Sequence, residues 1–209
     1  MLELAVLGLL HEAPLHGYEL RQRLKATLGT FRAFSYGSLY PTLRRMQAAG
    51  WIVQDEGDAQ VVAGAPPLTG RRGKVVYKLT AEGKERLAEL LSEAGPSAWE
   101  DETFGVHFAF FGQTDPAVRV RILEGRRSRL EERREGVRAT LARTRSRLDR
   151  YTLQLQEHGL ESVDREVRWL TELIETERRS AAPHTAPPPT QPLGPAPAGP
   201  TTTTGRGAP

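Results

Sequence analysis

Apolar positions Leu2, Ala5, Val6, Leu9 and Leu10 recur at helical spacing over residues 2–11, which predicts an amphipathic first helix ended by Pro14. A second helix is expected from about His16 to Leu28, burying Tyr18, Leu20, Leu24 and Leu28, with Gly29 as its stop signal. A third lies between Ser35 and Ala49, where Tyr36, Leu39, Leu43 and Met46 step by three, four and three along one buried stripe. Proline is tolerated only in a first turn, so Pro41 moves the start toward Ser38 as N-cap, with Ser35 as the alternative. Gly50 closes this helix, Trp51-Ile52-Val53 reads as a short strand, and Val75-Val76-Tyr77-Lys78-Leu79 is its returning partner. Residues 55–74 read as a long flexible loop ending in Gly70-Arg71-Arg72-Gly73-Lys74. Thr80 then caps a fourth helix, with Glu82 near its positive end.

Helix, helix, helix, strand, basic loop, strand is the order of a winged helix-turn-helix. After Gly95-Pro96 comes an aromatic segment with Trp99, Phe104, Phe108, Phe110 and Phe111, and Asp115-Pro116 opens a long helix in the cap-then-proline order. Within it Leu130, Val137, Leu141, Leu148, Tyr151 and Leu155 fit steps of three and four, interrupted by Arg134 and Thr144. A shorter helix repeats the pattern with Leu160, Val163, Val167, Leu170 and Ile174, and such seams must be buried against partner helices. From about Ser180 the chain is rich in Pro, Thr, Gly and Ala, a composition expected to be disordered. The expected architecture is mainly α. A winged helix-turn-helix domain with a two-stranded β wing (1–94) precedes an aromatic connecting segment (95–114), a helical dimerisation arm (115–179) and a disordered tail (180–209).

Composition narrows the function. The 209 residues contain no Cys, which excludes disulfides, thiol catalysis and cysteine-ligated metals and favours an intracellular compartment. No apolar run approaches the roughly 20 residues of a membrane span, and Met1-Leu2-Glu3-Leu4 lacks a basic n-region, so a cytoplasmic protein without membrane partners is expected. The net charge of +3 hides a block pattern: +4 over residues 1–80, −6 over 81–118, +7 over 119–150 and −3 over 151–180. Such stripes suit a polyanion-binding end joined to a salt-bridged helical end. Histidines 11, 16, 107, 158 and 184 have no ligand spacing, so neither a metal nor a cofactor is expected.

The third helix is the candidate recognition helix. With its apolar stripe inward, Ser38, Pro41, Thr42, Arg44 and Arg45 lie on or near the outer face, and Tyr40 is intermediate. Hydroxyls at a helix N-terminus bind phosphate oxygens, and arginines reach phosphate or the acceptor edge of guanine. Two arginines on a helix are as often simply solvated, and an isolated basic loop more often so. Arg71, Arg72 and Lys74 at wing distance make the combination more specific than either part.

The chain resembles the PadR family across roughly residues 2–92, and more loosely to about residue 178. The resemblance rests on His16-Gly17-Tyr18-Glu19-Leu20, Gly37-Ser38-Leu39-Tyr40-Pro41-Thr42-Leu43 and Gly50-Trp51-Ile52-Val53. Arg71-Arg72 through Tyr77-Lys78-Leu79-Thr80-Ala81-Glu82-Gly83 extends it. It implies a dimeric, ligand-responsive regulator, usually a repressor, whose C-terminal helices form the dimer interface. It further implies DNA contact by Tyr18, Ser38, Tyr40 and the wing basics. Two departures stand out: Met46-Gln47 replaces the family's usual Leu-Glu, and the wing loop is long and rich in Ala and Pro.

The expected DNA-contacting set is therefore Tyr18, Ser35, Ser38, Tyr40, Thr42, Arg44, Arg45, Arg71, Arg72 and Lys74, acting on double-stranded DNA. Leu130, Val137, Leu141, Leu148, Leu155, Val163, Val167, Leu170 and Ile174 are the expected dimer contacts. Trp99, Phe104, His107, Phe108 and Phe111, between the two parts, are candidates for binding a small aromatic or anionic effector, although Phe-rich junctions are more often core. The twelve arginines of residues 119–150 read first as solvated faces and salt bridges with residues 81–118 or 161–177, and second as phosphate or anion contacts. The competing function class is a winged-helix protein–protein scaffold without an operator. No nucleophile–base grouping, phosphate-binding glycine loop or metal cluster is seen, which ranks an enzyme last.

Overall fold

The computed structural model describes residues 1–29, 36–56 and 75–181. The expected wing loop with Arg71, Arg72 and Lys74, the position Ser35 and the expected disordered tail lie outside the described residues. Among the described residues the chain runs α1 (Leu2–Glu12), β1 (Leu15–His16), α2 (Gly17–Leu28), a 3-10 turn (Tyr36–Ser38) and α3 (Leu39–Ala48). There follow β2 (Ile52–Glu56), β3 (Val75–Leu79), α4 (Ala81–Ser92), α5 (Pro96–Trp99), α6 (Phe104–Ala109), α7 (Pro116–Thr144) and α8 (Arg150–Ala181).

Helix α1 is central rather than amphipathic: Leu4 through Leu10 are all buried, as in a helix surrounded by its neighbours. It stops at Glu12 because Pro14 pushes Ala13 into extended backbone, with φ −163° and ψ 153°. On α2 the buried stripe is Leu20, Leu24 and Leu28. Tyr18, expected to join it, is instead 67% exposed. The reason is geometric, since residues two apart on a helix point to opposite sides. Glu19 turns back to accept the His16 N–H at 3.0 Å, which fixes the start of α2.

Leu39, Leu43 and Met46 bury one face of α3, and Ser38 is its N-cap residue. Gly50, at φ +76°, ends the turn after α3 in the left-handed region that glycine enters without steric cost. Strands β2 and β3 pair antiparallel from Ile52↔Leu79 to Glu56↔Val75, so the strand expected at 51–53 runs on to Glu56 and shortens the wing loop. The short β1 adds to β3 through Leu15↔Tyr77 and His16↔Val76, making a three-stranded sheet of order β1-β3-β2. Thr80 caps α4 by accepting the Gly83 N–H at 3.0 Å and donates to the Gly50 carbonyl at 2.7 Å, which ties α4 to the end of α3.

Two apolar cores result. The first joins α1–α4 and the sheet; the second joins Ala98, Phe104 and Phe111 to Val118, Ile122, Leu123 and Leu130 of α7 and to Val167, Leu170 and Ile174 of α8. Helix α6 belongs to both, giving Val106 to the first and Phe104 to the second, and Phe110 follows it into the first. Asp115 caps α7 through the Ala117 N–H at 2.8 Å with Pro116 at the first position. One long helix through Leu155 is not formed. The chain breaks after Thr144, and Asp149 restarts it by accepting the Tyr151 and Thr152 N–H groups at 2.9 and 3.1 Å. Helices α7 and α8 thus fold back on each other as an antiparallel hairpin, and the expected shorter helix is a 32-residue one.

Candidate nucleic-acid interface and the adjoining cavity

The outer side of the helical pair α2–α3 carries the chemistry expected of a DNA-reading surface. Tyr18 and Tyr40 are 67% and 53% exposed, unusual for residues that could bury a ring, and Ser38, Arg44 and Arg45 are exposed as well. Tyr40 rests against the N-terminus of α2, where Gly17 precedes Tyr18. A Cβ at Gly17 would lie 3.7 and 3.9 Å from Tyr40 Cε1 and Oη, so the Tyr40 hydroxyl rests one residue from Tyr18. The Tyr18 hydroxyl accepts a hydrogen bond from Gln22 Nε2 at 2.8 Å, which orients the ring along α2. Ser38 and Tyr40 sit at the N-terminal end of α3, where the helix dipole favours anions.

Thr42 departs from the expected set. It is only 4% exposed, and its Oγ1 accepts from Arg45 Nη2 at 3.2 Å. Three residues after Leu39 and four before Met46, it falls within the buried stripe, so its hydroxyl positions Arg45 from below instead of facing outward. Gln47, at the departure from the family pattern, accepts from Gln54 Nε2 at 3.2 Å, and Gln54 also reaches the Tyr77 hydroxyl at 3.4 Å. This chain of side chains fastens α3 to both wing strands. Gln54 lies two residues after the buried Ile52, on the same face of β2, which aims it back at the helix.

The expected dimer residues divide into two groups. Leu130, Val167, Leu170 and Ile174 are buried in the protomer's own second core, with Val163 packed against it, so the partner helix for this seam is α7 of the same chain. Val137, Leu141 and Leu148 are only half-buried and line an open groove of about 480 Å³ toward the hairpin tip; Tyr151 and Leu155 beyond it are exposed. Many of the arginines of α7 pair with carboxylates. Arg119 meets Glu177 at 3.0 Å, Arg138 and Arg134 meet Asp164 at 3.3 and 3.6 Å, and Arg133 meets Asp101 at 3.3 Å.

The aromatic segment packs chiefly as core. Phe104, Phe108 and Phe111 cluster with Trp169 of α8, with ring centroids 5.0–6.3 Å apart. Trp99 lies against α7, its Nε1 2.5 Å from where a Gly125 Cβ would stand. His107 is buried with Nε2 unpartnered, and burial pushes its pKa below the ordinary value. Of the five aromatic candidates, Phe104 alone lines the cavity of about 320 Å³ at the junction, where it faces Leu28 of α2 and Trp169. Arg126, which sequence reasoning missed among twelve arginines, forms the polar wall. It had a readable signal: it stands midway between Ile122 and Leu130, a charge in an apolar stripe of period four.

Three helices, a small antiparallel sheet and a β2–β3 hairpin define a winged helix-turn-helix unit of the kind found in DNA-binding regulators. Residues 6–89 match the family described as the transcriptional regulator PadR-like family, and it is this winged-helix stretch that is similar to it. The negative transcriptional regulator PadR of Bacillus subtilis (strain 168) is 29% identical over 96 residues, which are 46% of this chain and 48% of that protein. The match thus spans about half the length of this curated relative. Similar solved structures include Bacillus subtilis PadR with operator DNA, at 20% identity and a TM-score of 0.38 over 84% of this chain and 98% of that one. The same protein with p-coumaric acid gives 20% and 0.38 over 85% and 98%. A PadR-like regulator from Bacillus cereus gives 21% and 0.37 over 85% and 98%.

Proposed function

We propose that this chain is a sequence-specific DNA-binding transcriptional regulator, acting as a homodimer on a pseudo-palindromic operator and responding to a small-molecule effector. The observation that carries the reading is the exposed face of Tyr18, Ser38, Tyr40, Arg44 and Arg45 on a unit whose leucines are fully engaged behind it. Recognition helix α3 enters the major groove, its N-terminal hydroxyls hold phosphate, and Arg44 and Arg45 reach phosphate or guanine. The wing basics Arg71, Arg72 and Lys74 add backbone contacts. Repression is the expected direction, supported by the negative regulator among its relatives.

The half-buried groove of Val137, Leu141 and Leu148 with exposed Leu155 supports dimerisation through the α7–α8 hairpin. A two-fold pair of recognition helices reads successive major grooves about 34 Å apart. The test is DNA selected by the protein from a random pool and titrated by fluorescence anisotropy. Replacing Arg45, Arg71 and Arg72 together by Ala removes specific binding while leaving the dimer intact. Specific binding that survives the triple change contradicts the assigned surface, and a wild-type protein that selects no DNA favours a protein–protein scaffold.

A further inference from the structure

The outward side of α3 is not uniform. At about 100° per residue, the buried Leu39, Thr42, Leu43 and Met46 define its inner face, and Pro41, Arg44 and Ala48 fall within about 30° of the line opposite. All three of these outer residues are exposed. Pro41 and Ala48 carry no side-chain donor or acceptor, so on this crest only Arg44 can hydrogen-bond a base edge. Among the described residues no hydrogen bond or ion pair engages Arg44, which leaves its guanidinium uncommitted.

Arg45 differs on both counts. It stands about 70° to one side of the crest, on the flank toward Thr42. Its Nη2 donates to Thr42 Oγ1 at 3.2 Å, and Thr42 is itself fixed by burial at 4% exposure. The bond folds the guanidinium back over the preceding turn, toward the N-terminal end of α3 where Ser38 lies. It engages one guanidinium nitrogen and leaves the others for phosphate oxygens. A helix laid in the major groove turns its crest to the base edges and its flanks to the phosphate walls.

We infer that the two adjacent arginines divide recognition between them. Arg44 reads guanine through its O6 and N7 acceptors, while Arg45, held on the flank by Thr42, contacts a phosphate. Thr42 is a positioning residue: buried beneath Arg45, it acts on DNA only through that side chain. The division rests on the regulator reading proposed above and assigns base specificity to one of two arginines that the sequence leaves equivalent.

The test selects DNA from a random pool with the full chain and repeats the selection with Arg44→Ala, Arg45→Ala and Thr42→Val. Wild-type sites are expected to hold a guanine at one position of each half-site. Arg44→Ala makes the four bases nearly equivalent there, a loss of roughly tenfold or more in discrimination, and leaves the other positions unchanged. Arg45→Ala keeps every base preference, weakens all sequences alike and lowers the slope of log affinity against log salt by about one. Thr42→Val matches the shape of Thr but lacks the acceptor. It is expected to give part of the Arg45→Ala loss and to add nothing when combined with Arg45→Ala. Thr42→Ser, which keeps the hydroxyl, retains the wild-type affinity and slope.

A guanine preference that survives Arg44→Ala, or one that disappears with Arg45→Ala, overturns the division while DNA binding stands. A Thr42→Val loss that adds in full to that of Arg45→Ala removes the positioning role. A wild-type protein that selects no DNA removes the regulator reading and this inference with it.

Discussion

Gly8 of α1 lies directly against the ring of Phe110, so closely that a Cβ at position 8 would stand 2.5 Å from Phe110 Cε1. The contact joins the centre of the winged-helix core to the segment that leads into the helical hairpin. Gly8→Ala must displace a buried ring and is expected to destabilise the protein by about 1–3 kcal/mol in urea unfolding. Gly159→Ala, in mid-α8 with nothing within 4 Å, is expected to stabilise it by about 0.5–1 kcal/mol.

Arg126 is the second joint. Its side chain is 9% exposed and binds Asp101 before the hairpin and Glu166 on α8. Arg126→Ala is expected to cost about 2–3 kcal/mol, as for the loss of buried charge-assisted hydrogen bonds. The Arg126 guanidinium beside Asp101 holds that carboxyl below its ordinary value of 3.8. The stabilisation from Asp101 is thus fully present above that value and is lost as the pH falls through the lowered folded one. Urea midpoints at neutral and acid pH should therefore converge between wild type and Arg126→Ala as the pH falls.

His107 titrates with the opposite consequence. Buried and with its pKa lowered, it remains neutral in the fold while the unfolded chain takes up a proton near its ordinary value of 6.5. Stability is thus unaffected by this group well above 6.5 and declines as the pH falls from there toward the folded value. His107→Gln should flatten that part of the stability–pH profile. A wild-type imidazole that titrates by NMR at or above 6.5 contradicts this account.

Much of this organisation was legible in the sequence because local signals agreed. Pro14 after α1, Gly50 after α3, Thr80 before α4 and Asp115-Pro116 before α7 each mark a boundary by backbone chemistry that acts on neighbours alone. What was not legible depends on packing across the chain. Tyr18 was counted with a stripe it does not share, and Thr42 was counted as outer because its burial depends on how α3 settles against the rest of the unit. The break at Arg145–Leu148 lacks Gly and Pro, and the three-four spacing runs through it, so periodicity alone joins two helices into one. The seam through Val167, Leu170 and Ile174 correctly demanded a partner helix, but a seam cannot state whether that helix belongs to the same chain.

The hairpin groove gives a prediction for assembly. Leu141→Glu with Leu148→Glu places charges in a half-buried apolar wall outside the second core. Light scattering after size exclusion is expected to show monomers with unchanged helical content. Leu170→Glu, inside the core, is expected to unfold the hairpin instead.

The central claim is that α3 and the α2 N-terminus form the DNA-reading face. The most direct measurement is the salt dependence of binding to selected DNA for wild type, Arg44→Ala and Arg45→Ala. Each phosphate-contacting arginine contributes roughly one unit to the slope of log affinity against log salt. The account predicts a steep wild-type slope and, for each variant, either a slope lower by about one or a loss of sequence preference at one base. Wild-type affinity, slope and sequence preference retained in both variants would contradict it.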